Sequence, residues 1–178
     1  MKIIKLFFII CLTFLFSFKT LNAEETTPFF NNFSGICVNS IHDLELIKNF
    51  SKLENWQPLP ENMMPMVAPI DYDNFDGWYF KEGDIAFIVG ISDFTENGVT
   101  KNTCSLASNK ANYEINEQLL MELYEINLID ELKQGIQTSK VFEVKHAFFN
   151  EVYISTLLDN RKTEFNLGSF AIVATIPQ

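Results

Sequence analysis

Histidine is nearly absent from this 178-residue chain, at two copies, and cysteine (three), glycine (seven) and cations (13 Lys plus Arg against 23 Asp plus Glu) are also scarce. Each shortage excludes something. The only histidines are His42 and His146, and the chain holds no C-x-x-C, H-E-x-x-H, G-x-S-x-G or S-x-x-K, so no ready-made metal or nucleophile motif is present. A net charge of −10 works against binding phosphate backbones or anionic lipid headgroups, because like charges repel. After the first 18 residues no apolar run of about 18 residues recurs, so no membrane-spanning helix is expected downstream of the N-terminus and no stable membrane insertion is expected once that start is removed.

What is present begins at that start. Met1, Lys2 and Lys5 are followed by an apolar run from Leu6 to Phe18, and Leu21-Asn22-Ala23 ends in a small residue before Glu24-Glu25. This is the layout of a secretory signal peptide cut after Ala23. The expectation is therefore a signal at residues 1–23 and a single globular domain at 24–178, periplasmic or secreted, with 24–34 as a flexible arm. Lys2, Lys5 and Lys19 leave with the signal, so ten cations face 23 acids and the balance becomes −13. Such a surface attracts a cationic protein and disfavours nucleic acid.

Cys11 lies inside the signal, which leaves Cys37 and Cys104 in an oxidising compartment, where they are expected to pair. Neither has a histidine at ligand spacing, so no metal and no cofactor is assigned. Closing so long a loop stabilises the fold by roughly 4 kcal/mol in the chain-entropy picture.

Hydrophobic periodicity gives the architecture. Ser40-Ile41-His42-Asp43 resembles a capping box and opens a helix with a stripe at Leu46, Phe50 and Leu53, stopped by Pro58 and Pro60. Residues 55–75 hold four prolines and three methionines and read as a long loop. Strands follow at 78–81, 85–92 and 100–107, with Asn97-Gly98 as a tight turn. Asn116 is read as the cap of a second helix with Ile115, Leu119, Leu123 and Ile126 on one stripe, ending near Asn127 or running on to Gly135. Three more strands are read at 140–149, 152–158 and 169–176. The fold class expected is α+β, an antiparallel sheet of about six strands with two helices on one face, in which a helix-then-three-strands order occurs twice.

Three groups of residues raise chemical questions. Asp71-Tyr72-Asp73-Asn74-Phe75-Asp76-Gly77, with Glu82 at the twelfth place, fills the first, third and last positions of a calcium loop. Asp76 stands where the invariant glycine belongs and Phe75 where a ligand belongs, so the segment reads as an acidic turn. Met63, Met64 and Met66 carry soft thioethers, but with no histidine or cysteine at fixed spacing they read as packing residues. His146 falls opposite Ser155 if Asn150-Glu151 closes a two-residue hairpin, giving the one nucleophile–base pair the spacing allows, without an orienting acid or oxyanion donors.

Aromatics beside acids are the makings of a binding surface, and Asp71, Asp73, Asp76, Trp78, Tyr79 and Glu82 are the residues read as one. The function expected is an exported non-catalytic binding protein, an inhibitor or immunity-type partner of a cationic protein. The alternatives are a small exported hydrolase using carboxylates, or His146 with Ser155, and an envelope structural or assembly protein.

Overall fold

The computed structural model describes residues 27–68, 72–135, 137–145, 151–159 and 168–175; the signal peptide read at 1–23 lies outside them. Its first element is a short helix, α1 (Pro28–Asn32), entered through Thr27, whose hydroxyl accepts from the Phe30 N–H at 3.1 Å, with Pro28 at the position where a missing N–H costs nothing. The chain continues into a π-helical turn at Phe33–Val38. Phe29, Phe30, Phe33, Ile36 and Cys37 are all buried along this stretch. From Thr27 onward, then, the segment read as a flexible arm (24–34) is packed structure. Burying three phenylalanines offsets much of the chain entropy lost when the segment is ordered.

Helix α2 (Leu44–Leu53) is capped by Asp43, whose Oδ1 accepts from the Glu45 N–H at 3.1 Å, rather than by Ser40. After it come β1 (Gln57–Pro58), a 3-10 turn at Glu61–Met66, and strands β2 (Asn74–Glu82), β3 (Ile85–Glu96) and β4 (Val99–Ser108). Helix α3 (Tyr113–Leu123) is capped by Asn112, which accepts from the Ile115 N–H at 3.2 Å; Asn116, read as the cap, lies inside the helix and is fully buried. The last four strands are β5 (Ile126–Gln134), β6 (Gln137–Val144), β7 (Val152–Asp159) and β8 (Gly168–Thr175).

All eight strands form one antiparallel sheet in the order β1-β2-β3-β4-β8-β7-β6-β5. Six strands and two helices are too few: the described residues hold eight strands and three α-helices. The largest departure is β5, whose Ile126, Ile129 and Leu132 spacing imitates a continuation of α3. Pairing with β6, with a bulge between Leu128 and Asp130, fixes it as a strand. Each half of the molecule is a helix followed by four strands, not three, and the halves join antiparallel through their last strands, Cys104 opposite Ile172 and Leu106 opposite Phe170.

The correspondence between the halves extends to side chains. Asp43 and Asn112 each cap their helix through a side-chain oxygen, Asp43 on the second helical N–H and Asn112 on the third. The fifth residue of each helix bridges to the second strand of its own half with the charges exchanged, Lys48 to Asp76 and Glu117 to Lys140.

Strand alternation divides the sheet into two faces. One carries Trp78, Phe80, Phe87, Val89, Cys104, Leu106, Phe142, Ile154, Phe170 and Ile172, and the helical layer packs on it to form the main core. Phe29 and Phe33 meet Phe170 edge-on with ring centroids 5.1 and 5.4 Å apart. Cys37 in the π-helical turn and Cys104 in β4 form a disulfide at a Cα separation of 5.3 Å, fully buried, so the bond ties the helical layer to the centre of the sheet. The opposite face has a smaller cluster in which Leu59, Val67, Ile88 and Ala107 pack with Met63, Met64 and Phe75. The two methionines act there as packing side chains.

Candidate functional site

The acidic segment does not form one surface. Because 74–82 is a strand, its side chains alternate: Asp76, Trp78, Phe80 and Glu82 project to the helical face, and Phe75, Gly77 and Tyr79 to the other. Trp78 is half-buried against the main core, whereas Tyr79 stands exposed on the reverse side. Asp76 binds Lys48 at 3.2 Å, and the Asp73 N–H donates to the Asp93 carbonyl at 2.8 Å. Asp71 lies outside the described residues. Glu82 follows Asp76 along the same strand at a distance of roughly 20 Å, given the rise of an extended chain, so these two carboxylates cannot enclose one cation. Among the described residues no group of three or more His, Cys, Asp or Glu stands together as a metal site would require.

Ser155 faces Val141 on β6 and Ala171 on β8, so its described cross-strand neighbours are aliphatic; His146 lies outside the described residues.

The geometry draws attention instead to α2 and the aromatics below it. Phe50, Trp56, Phe80 and Phe87 form a ladder: Phe50 meets Trp56 edge-on at 5.3 Å, Trp56 stacks on Phe80 at 4.4 Å, and Phe80 stacks on Phe87 at 5.1 Å. The ladder runs from solvent to the core, so Trp56 and Phe80 are core-edge residues while Phe50, at its outer end, is 43% exposed. The stripe read in the sequence as the core face of this helix points outward: Leu46 is 46% and Leu53 74% exposed, and the buried positions are Ile47 and Ser51. Sequence reasoning picks the wrong face because Leu46 and Ile47 are adjacent and each starts a helical stripe. The signal that decides between them is Ser51, whose hydroxyl bonds the Lys48 carbonyl at 2.9 Å and so needs no water.

Between α2 and the π-helical turn lies a groove of about 360 Å³, walled by Ile36, Leu46, Ile47 and Phe50 and edged by Asn32 and Gly35.

The electrostatics are lopsided. Lys48, Lys101, Lys110, Lys133, Lys140 and Lys145 are each engaged by a carboxylate of this chain. Hydrogen bonds from Lys48, Lys110 and Lys101 hold the carboxyls of Glu45, Asp84 and Glu96 below their ordinary values, and the reciprocal bonds from Glu45 and Glu96 raise Lys48 and Lys101. Glu54, Glu61, Asp73, Glu82 and Asp130 are exposed and, among the described residues, form no ion pair. Comparison with protein-family models, with curated proteins and with solved structures finds no match for this chain, so the site stands on its geometry alone.

Proposed function

We propose that this protein is an exported, non-catalytic binding protein that engages a cationic protein. The observation that carries the reading is the unequal pairing of charge: most described lysines are held by internal carboxylates, while Glu54, Glu61, Asp73, Glu82 and Asp130 face solvent. A surface of that kind steers a positively charged partner by long-range attraction. The buried Cys37–Cys104 disulfide supports export, since such a bond persists in an oxidising compartment.

The test is to recover partners of the purified protein from its native exported fraction at low and high salt, and then to measure the association rate with the captured protein. The rate is expected to fall about tenfold or more as ionic strength rises from roughly 0.01 to 0.5 M, because the Debye length shrinks below the range of the field. A rate independent of salt contradicts the reading.

A further inference from the structure

We propose that the groove between α2 and the π-helical turn is the docking site for an amphipathic, lysine-rich helical segment of the cationic partner, an inference that rests on the reading just given. Helix α2 buries a serine and leaves a phenylalanine between two leucines in water. Leu46, Phe50 and Leu53 recur at i, i+4 and i+7, so they make a continuous ridge roughly 10 Å long at the helical rise. Exposed apolar residues scattered singly are ordinary, but a ridge lying along a cavity is the arrangement an amphipathic helix packs against.

The cavity gives the ridge a pocket. Its 360 Å³ admits a leucine or phenylalanine side chain, and above Gly35 it is open, since a Cβ built there would meet nothing within 4 Å. Ile36 and Ile47 line the wall with apolar surface, and both belong to the buried core, so the wall is rigid.

Charge selects the occupant. Asp43 and Glu54 flank the ridge on one side; on the other, Glu45 is paired with Lys48 at 2.8 Å beside the exposed Lys52, and Lys48 is also held by Asp76 at 3.2 Å. A helix with leucines on one side and lysines along the border facing Asp43 and Glu54 therefore meets apolar surface in the middle and, at that rim, carboxylates that form no ion pair among the described residues. A second copy of this chain is a poor occupant, because two molecules of net charge −10 repel.

The experiment uses two synthetic peptides and calorimetry on the purified protein at low salt. The first has lysines and leucines at helical spacing, with the leucines on one face; the second has the same lysines with serine in place of every leucine. The first is expected to bind about tenfold or more tightly than the second, and Gly35→Leu, Leu46→Ser and Leu53→Ser are each expected to weaken it by about tenfold with an unchanged melting temperature. The residue at 53 is exposed enough that its replacement keeps the test valid if the change at 35 disturbs folding.

Equal binding of the two peptides, or unchanged affinity in the folded variants, overturns the groove while leaving the cationic-partner reading intact. Failure of both peptides to bind at low salt overturns that reading and the groove with it.

Discussion

Single side chains already show where the structure is tight, where it is open and where it carries a cost. At Gly90 a Cβ would approach Val67 Cγ2 to 2.9 Å and Phe75 Cε2 to 3.0 Å, so the second-face cluster packs directly on the bare backbone of β3. Gly90→Val is expected to cost about 1–3 kcal/mol by overpacking, as measured by denaturant unfolding. Thr103 gives the opposite sign. It is buried on β4, and among the described residues its hydroxyl has no hydrogen-bond partner, a condition it shares with Ser92 directly across the strand. Thr103→Val removes an unsatisfied polar group with almost no change of shape and is expected to raise stability by about 1 kcal/mol in the same assay. Neither effect is visible in sequence, where Gly90 and Thr103 are ordinary strand residues; both arise from what lies above them.

At the scale of elements, legibility follows the strength of the local pattern. Ile85–Glu96 is dense in β-branched and apolar residues with no competing helical period, and Asn97-Gly98, at φ of 52° and 77°, makes the tight turn the dipeptide favours. Residues 126–134 carry both periods at once, and only the pairing with β6 decides between them. Five-residue α1 is too short to show any period; its signals are Thr27, Pro28 and the burial of the phenylalanines that follow. The candidate site is legible only in part: the acids and aromatics of 73–82 lie together in sequence, but a strand sends them to two faces. The ridge on α2 is legible as a stripe, yet nothing local says that it turns away from the core. The two caps provide a prediction at this scale. Asn112→Ala leaves the Ile115 N–H without its acceptor and is expected to cost about 1 kcal/mol, seen as a lower denaturation midpoint at constant slope.

For the whole molecule, the architecture is two helix-and-four-strand halves joined through β4 and β8, with one disulfide crossing from the helical layer to that junction. Charge shapes how this unit responds to pH. Asp84 and Glu96 titrate below their ordinary 3.8 and 4.5 when folded, so their contribution is full above those values and is lost as pH falls through the depressed ones. Lys48, Lys101 and Lys145 titrate above 10.5, so theirs is full below that value and is lost as pH rises through the elevated one. The melting temperature is therefore expected to be flat from about pH 5 to 10 as far as these groups decide it, and to fall gently on either side, since exposed pairs are screened by water. The Cys37–Cys104 bond joins residues 67 apart in sequence and outweighs these surface pairs, stabilising the fold by about 4 kcal/mol in the chain-entropy picture. Everything proposed about a partner presupposes that this bond forms where the protein works. Mass spectrometry of protein isolated from its native compartment tests this directly: a chain beginning at Glu24, with the Cys37 and Cys104 peptides linked, is the result expected, and a retained Met1 with both thiols free would contradict the account.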